Sequence, residues 1–86
     1  MKIIFIESAW EQYVAWGEFD RKVWLKINKL IKESARTPFT GTGKPEPLRH
    51  QFAGFWSRRI TEEHRLVYRW SELDLTIISC HGHYET

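Results

Sequence analysis

One carboxylate, several arginines and a histidine near the carboxyl end are the side chains of this sequence best suited to acid–base chemistry. Glu46 lies between two prolines in the segment T-G-K-P-E-P-L-R-H. Arg59 and Arg65 lie on predicted strands, and His83 and Tyr84 stand near the carboxyl end. Cleavage of a phosphodiester by the neighbouring ribose 2′-hydroxyl needs a base, an acid and a cation near the phosphate. The sequence therefore predicts a ribonuclease that requires neither a metal ion nor a cofactor.

The chemistry of each side chain suggests its role in such a reaction. Glu46 is the candidate base. His83 is the candidate acid, because an imidazole pKa of about 6.5 makes both protonation states accessible at neutral pH. Arg65 is the candidate phosphate ligand, since its planar guanidinium matches two phosphate oxygens, and Tyr84 is expected to stack on a base or donate a hydrogen bond. Further RNA- or phosphate-binding residues are predicted at Lys44, Arg49, His50 and Arg59.

Each candidate also has a purely structural interpretation. Glu46 could be a solvated loop acid, and Arg65 could pair with an acid of the adjacent turn, Glu62 or Glu63. His83 could belong to a frayed tail, as the last residues of a domain often do. Spacing along the chain does not by itself bring residues 46, 65 and 83 together.

The closing run C-H-G-H is also a test case for metal binding. Cys80, His81 and His83 could contribute zinc ligands together with His64 or His50. No second C-x-x-C or H-x₃-H pair completes a set of four ligands, so no metal site is predicted. Cys80 is expected to be a small core residue rather than a nucleophile.

Size and composition limit the classes of function. The chain of 86 residues is predicted to form one domain, residues 1–86. Its single cysteine allows no internal disulfide, which fits a reducing compartment. The apolar run before Glu7 is shorter than the roughly 7–15 residues of a signal peptide, and no segment approaches the roughly 20 apolar residues of a membrane span. We therefore expect a cytoplasmic protein without membrane contact.

Positive charge is concentrated in two parts of the chain, although the net charge is only +2. Residues 21–36 hold six bases against one acid, and residues 44–69 hold six bases against three acids. Two such blocks suggest a polyanionic or strongly acidic partner. For residues 21–36, a solubilising helix face is an equally valid interpretation.

Local signals predict the helices that support these residues. A first strand is predicted at Lys2–Ile6. The S-x-x-E pattern from Ser8 resembles a capping box and predicts a helix start, with Gly17 as its stop. Asp20 is the predicted cap of a second helix, which Thr37-Pro38 ends because the residue before proline avoids the α region. The predicted buried face of this helix comprises Val23, Ile27, Leu30, Ile31 and Ser34.

The second half of the chain predicts strands. The predicted strands are Phe55–Thr61, His64–Trp70 and Leu73–His81, with a shorter one near Leu48–Phe52. The order β-α-α-β-β-β-β predicts an α+β domain, with two N-terminal helices packed on one face of a mainly antiparallel sheet. Alternation along the middle strand directs Leu66 and Tyr68 toward the helices and leaves Arg65 on the free face. If Arg59 shares that face, the sheet presents a basic surface.

Three segments carry a resemblance to a known family. They are the pattern R-T-P-F-x-G-x-G-K-P-E-P-L at Arg36–Leu48, the run G-F-W-S-R-R-I-T-E-E-H-R-L-V-Y at Gly54–Tyr68, and the closing His83-Tyr84. Over nearly its whole length the chain resembles the YoeB family of bacterial toxins, within the RelE/ParE superfamily of toxin–antitoxin systems. The resemblance implies a microbial-ribonuclease-like fold and an mRNA interferase that cuts messenger RNA in the ribosomal A site. The implied products are a 2′,3′-cyclic phosphate or 3′-phosphate and a 5′-hydroxyl.

The resemblance also implies roles for single residues. It matches Glu46 to the general base, Arg65 to the transition-state arginine and His83 to the general acid. Tyr84 matches a supporting terminal aromatic, Arg59 a basic residue near the scissile phosphate, and Arg49 a position where members often have lysine. Two departures are Gly82, where members often carry a bulkier aromatic, and Glu85-Thr86, which extend past the usual end.

The partners that the resemblance implies are a YefM-type antitoxin, the ribosome with its mRNA and rRNA, and, for some members, a second copy of the toxin. Two other functions remain open. Sister members of the superfamily poison DNA gyrase without this acid–base set, and a plain RNA- or DNA-binding domain would bind in a salt-sensitive way without forming product. The presence of both Glu46 and His83 favours cleavage.

Overall fold

A computed structural model describes residues 1–83 of the chain. The elements are β1 (Lys2–Phe5), α1 (Glu7–Phe19), α2 (Arg21–Arg36), β2 (Glu46–Pro47), a 3₁₀ turn (His50–Phe52), β3 (Trp56–Arg59), β4 (Arg65–Trp70) and β5 (Asp74–Ser79). This is the predicted α+β order, and each long strand lies within its predicted range.

The five strands form one mixed sheet with the order β1-β5-β4-β3-β2. β1 pairs with β5 in parallel, and the other three pairings are antiparallel. A parallel pair needs a long crossover connection, and the crossover from β1 back to the sheet includes α1 and α2. The prediction of two helices against a mainly antiparallel sheet is therefore confirmed.

The two helices start and end differently from each other. α1 begins at Glu7 after Ile6, without a side-chain cap, so Ser8 lies inside the first turn and the capping-box prediction is wrong. Gly17 also lies inside α1 rather than ending it. A Cβ on Gly17 would lie 3.2 Å from the indole nitrogen of Trp24, so this glycine allows α2 to approach closely. In α2, the Val23 amide donates to the Asp20 carboxylate at 3.2 Å, which confirms the predicted cap.

The core lies between the two helices and the sheet, and α2 contributes most of its helical residues. Ile27, Leu30, Ile31 and Ser34 are buried, as the helical spacing predicts. They face a cluster that includes Leu66, Tyr68, Leu75 and Ile77 of the two central strands. The lysines of α2 lie exposed on the other side. Burial of one apolar stripe, rather than helix propensity, is the usual source of stability for such a helix.

The prediction of a short strand at Leu48–Phe52 is wrong. The strand pairs two residues earlier, at Glu46–Pro47, and His50–Phe52 form a 3₁₀ turn. The backbone of His50 has φ of 56°, which a strand does not allow. Leu48 is nevertheless buried, so this apolar residue anchors the loop and does not belong to a strand. No helix within residues 1–83 is long and apolar enough to cross a membrane.

Candidate active site

The register of the sheet brings three of the candidate residues to one face. Glu46 pairs with Ser57, Ser57 pairs with Val67, and Arg59 pairs with Arg65. Paired residues point to the same side of a sheet, and so do residues two apart on a strand. Glu46, Arg59 and Arg65 therefore lie on the face opposite the helices, around the smaller side chains of Ser57 and Val67. We call this set of five residues the open face. Glu46 and Arg59 are exposed on it and Arg65 is half-buried, whereas Ser57 and Val67 between them are buried.

The spacing on the open face follows from ordinary strand geometry. Strands lie about 4.8 Å apart and residues two apart on a strand are about 6.7 Å apart, so the Cα of Glu46 lies about 8 Å from that of Arg59 and about 12 Å from that of Arg65. These separations are bridged by long, flexible side chains. The arrangement thus places a carboxylate opposite two guanidinium groups with small residues between them.

Proline fixes the backbone around Glu46. Pro45 and Pro47 have φ locked near −65°, and Pro47 keeps Glu46 out of the α region. Glu46 is accordingly extended on β2, an edge strand, where proline removes no hydrogen bond from the centre of the sheet. Its side chain is exposed. Glu46 therefore belongs to a short edge strand rather than to a loop, and its side chain is solvated, as in the structural interpretation.

Arg65 opens β4 and is half-buried. Its Nη1 donates to the backbone carbonyls of Thr61 at 2.7 Å, Glu62 at 3.0 Å and His64 at 3.2 Å. Within residues 1–83 it forms no ion pair with the carboxylates of Glu62 or Glu63, so the alternative role of Arg65 as the partner of a turn acid is not observed there. All three bonds start from one nitrogen. The turn thus holds the guanidinium by one corner, and within residues 1–83 its Nε and Nη2 make no hydrogen bond.

The chain returns to Arg65 at its carboxyl end. The backbone N–H of Arg65 donates to the carbonyl of Gly82 at 2.9 Å, and the N–H of Gly82 donates to Nδ1 of His64, also at 2.9 Å. His83 follows directly and is exposed. The segment up to Gly82 is therefore held against β4 rather than frayed. Tyr84 lies outside the described residues, as do Glu85 and Thr86.

The other predicted RNA-binding residues lie around the open face. Arg59 ends β3 with an exposed side chain, and its backbone N–H donates to the carbonyl of Gly43 at 2.7 Å. Lys44, Arg49 and His50 are exposed in the loops on either side of β2. No hydrogen bond or ion pair within the described part of the chain joins the side chains of these three residues to the open face.

Arg58, the neighbour of Arg59, has a structural role that was not predicted from the sequence. Arg58 has no exposed surface and is surrounded by acceptors. Its Nε donates to the Tyr68 hydroxyl at 3.1 Å, and its Nη1 forms an ion pair with Glu33 of α2 at 2.9 Å. Both terminal nitrogens also donate to backbone carbonyls of the loop between α2 and β2, those of Thr37, Thr40 and Thr42. The alternation of side chains along β3 could have indicated that Arg58 is buried, because Arg58 pairs with the core residue Leu66.

Cys80 behaves as the small core residue that was expected. It is buried, and burial raises the pKa of its thiol to about 12. The thiol is therefore protonated at neutral pH and is a poor nucleophile. Within residues 1–83, no group of three or more His, Cys, Asp or Glu side chains could hold a metal ion.

Comparison with known proteins identifies the family. A family model for the YoeB-like toxin of bacterial type II toxin–antitoxin systems matches residues 5–84. Toxin YoeB of Escherichia coli (strain K12) is 56% identical over 84 residues, which cover 98% of this chain and 100% of the relative. A YoeB/ParE toxin from Agrobacterium tumefaciens has a TM-score of 0.94 and 50% identity, covering 98% of this chain and all of that one.

The YoeB of Staphylococcus aureus is also similar and has been solved in two states. In a YoeB–YefM complex it has a TM-score of 0.90 and 40% identity, and as a YoeB dimer it has a TM-score of 0.92 and 41% identity. Each comparison covers 98% of both chains. Since the family model spans nearly the whole sequence and close relatives match from end to end, the chain belongs to the YoeB-like toxins of bacterial type II toxin–antitoxin systems.

Proposed function

We propose that this toxin is a ribosome-dependent endoribonuclease that cleaves mRNA in the ribosomal A site. The observation that supports this most is the register of the sheet. Glu46, Ser57 and Val67 lie side by side across β2, β3 and β4, and Arg59 lies beside Arg65 two residues further along β3. This register gives one sheet face a carboxylate and two guanidinium groups. The backbone bond between Arg65 and Gly82 brings His83 to the same end of β4.

The proposed reaction is an attack of the ribose 2′-hydroxyl on the adjacent phosphodiester. Glu46 accepts the hydroxyl proton as the 2′ oxygen bonds to phosphorus. The bond from phosphorus to the 5′ oxygen then breaks, and His83 donates a proton to that leaving oxygen. The products are a 2′,3′-cyclic phosphate and a 5′-hydroxyl. Each proton transfer by a positioned side chain contributes about 10²- to 10⁴-fold to the rate.

The arginines are proposed to stabilise the charge that builds on the phosphate. Nε and Nη2 of Arg65 make no hydrogen bond within residues 1–83, and this edge of the guanidinium can bind two phosphate oxygens. Arg59, its cross-strand partner, adds a second cation on the same face. Tyr84 is proposed to support the site, and Lys44, Arg49 and His50 to bind the RNA backbone. Every step uses side chains of this chain, so the proposed reaction needs no metal ion or cofactor.

We also propose that the toxin acts in the cytoplasm, is restrained by a YefM-type antitoxin and can form a homodimer. The complex and the dimer solved for the Staphylococcus aureus relative support these partners.

Cleavage on programmed ribosomes tests the proposal. Ribosomes carrying a defined mRNA are incubated with the toxin, and new 5′ ends are mapped by primer extension. We expect cleavage inside the A-site codon, lost in Glu46→Ala and in His83→Ala while both variants keep the wild-type melting temperature. Cleavage by the Glu46→Ala/His83→Ala double variant at the wild-type rate would contradict the proposal.

A further inference from the structure

Three side chains hold the segment that leads to His83. The amide oxygen of Gln12 accepts from the Cys80 N–H at 2.8 Å and from the Ser79 hydroxyl at 3.2 Å. The indole N–H of Trp16 donates to the Cys80 carbonyl at 2.8 Å. The imidazole of His64 accepts from the N–H of Gly82, two residues after Cys80. Two residues of α1 and one residue of the β3–β4 turn thus control the path of residues 79–82.

Of these three side chains, His64 contacts the residue nearest to His83, because its partner Gly82 directly precedes His83. Its ring is packed edge-on against Trp16 at 4.9 Å between ring centres, and it lies 4.6 Å from the ring of His81. These contacts fix the plane of the imidazole. An Nδ1 that accepts from an amide carries no proton, so the hydrogen of a neutral ring is on Nε2.

The peptide at Gly82 is held on both sides by consecutive residues. His64 accepts from its N–H, and the backbone N–H of Arg65 donates to its carbonyl. Gly82 has φ of 87°, in the region that side chains rarely adopt, so the chain turns sharply at this point. The bond to Nδ1 therefore sets the direction in which the chain continues to His83.

We propose that His64 is a positioning residue for the cleavage reaction. Its Nδ1 holds the Gly82 amide and thereby directs His83 toward the phosphate bound by Arg65. This role rests on the proposed function, because it takes His83 as the general acid. Without Nδ1, the bond from Arg65 to the Gly82 carbonyl remains, so the segment stays near β4 while its orientation becomes less defined.

Two substitutions of His64 distinguish the effect of its hydrogen-bond acceptor from the effect of its ring packing. His64→Phe keeps a ring between Trp16 and His81 but removes the acceptor. His64→Asn removes the ring but provides a side-chain oxygen close to the position of Nδ1. We expect His64→Phe to lower kcat by about tenfold to a hundredfold, as misplacement by about 1 Å does, with KM and melting temperature nearly unchanged. We expect His64→Asn to recover most of kcat despite a lower melting temperature.

Several results would overturn this role. Wild-type kcat in His64→Phe would show that the acceptor is not needed. A kcat in His64→Asn as low as in His64→Phe, or a loss in both that follows melting temperature alone, would show a structural role. His83→Ala serves as the reference: if it cleaves normally, the proposed function fails, whereas an inactive His83→Ala beside a fully active His64→Phe rejects the positioning role alone.

A measurement on the wild-type protein does not depend on whether the variants fold. An N–H···N hydrogen bond transmits a scalar coupling between its two nitrogens, which NMR detects in ¹⁵N-labelled protein. We expect a coupling between the Gly82 amide nitrogen and Nδ1 of His64, together with the ¹⁵N shift of an unprotonated Nδ1. A protonated Nδ1, or a Gly82 amide without this coupling, would contradict the inference.

Discussion

The two faces of β3 use identical charged groups in opposite ways. Arg58 points to the helices, has no exposed surface and donates to a hydroxyl, a carboxylate and three carbonyls. Arg59 points to the open face and is exposed beside Arg65. The first fixes the loop that leads to Glu46, and the second is proposed to bind a phosphate. Adjacent basic residues on a strand can therefore differ in role. Because side chains alternate between the two faces, one is buried and structural while the next is exposed.

Arg58 and Arg59 also differ in the free energy that their surroundings must supply, because only Arg58 is buried. Removing water from a guanidinium is costly unless its donors are satisfied. The acceptors around Arg58 meet this need, and the same bonds connect α2, β3 and β4 with the loop before β2. An exposed arginine has no such cost and contributes little to stability. Stability and activity should therefore respond separately to substitutions on the two faces.

The largest expected effect is on the buried face. Arg58→Ala leaves the Glu33 carboxylate and several carbonyls without their donor, so we expect the free energy of unfolding to fall by about 3–5 kcal/mol. Chemical denaturation followed by tryptophan fluorescence measures this change. A loss below about 1 kcal/mol, typical of surface substitutions, would mean that Arg58 is not the centre of this network.

The next effect is on catalysis without a change in stability. Glu46→Gln keeps the size and extended backbone of the residue but removes the base. We expect cleavage on programmed ribosomes to slow by about 10²- to 10⁴-fold, while the melting temperature stays within experimental error. A variant with normal cleavage would remove Glu46 from the proposed mechanism and leave the open face without its base.

Arg59→Ala is the matched partner of Arg58→Ala. Because the side chain is exposed, we expect the free energy of unfolding to change by less than about 0.5 kcal/mol. Loss of one cation near the phosphate should lower the cleavage rate by about tenfold to a hundredfold, and Arg59→Lys should retain part of this rate. If Arg59→Ala destabilises the protein as much as Arg58→Ala does, the contrast between the two faces is wrong.

The smallest effect concerns the pH dependence of stability. Burial raises the pKa of Cys80 from 9.0 to about 12, so the folded state keeps a proton that the unfolded state loses. The stability due to this group is complete below pH 9 and declines as pH rises toward 12. We expect the difference in stability between the wild type and Cys80→Ala to shift in favour of Cys80→Ala over this range. A difference independent of pH would contradict the raised pKa.

Local signals in the sequence predicted much of the fold. The buried stripe of α2, the Asp20 cap, the end of α2 before Pro38 and the order of the strands are all properties of short segments. The sharing of one face by Arg59 and Arg65 followed from alternation once their strands were paired. The family resemblance, carried by residues of the loop and of β3 and β4, was confirmed by the family model.

Features that depend on distant contacts were not predictable in this way. The bonds from Arg58 to Glu33 and to the loop join residues far apart in sequence, and nothing near Arg58 indicates them. Gly17 has the type of a helix stop, yet its role is to accommodate Trp24 of the next helix. The acceptor role of His64 likewise depends on a residue 18 positions away. The assigned roles of Glu46, Arg65, His83 and Tyr84 remain predictions.

The proposed attack by the 2′-hydroxyl is tested most directly with an mRNA that lacks this hydroxyl at the scissile bond. An mRNA with a single 2′-deoxyribose on the 5′ side of the scissile bond is bound to ribosomes and compared with the all-ribose mRNA. We predict that the toxin cleaves the all-ribose mRNA to a 2′,3′-cyclic phosphate and a 5′-hydroxyl and leaves the substituted bond intact. Cleavage of the substituted bond at a comparable rate would contradict the central claim that the open face promotes attack by the 2′ oxygen.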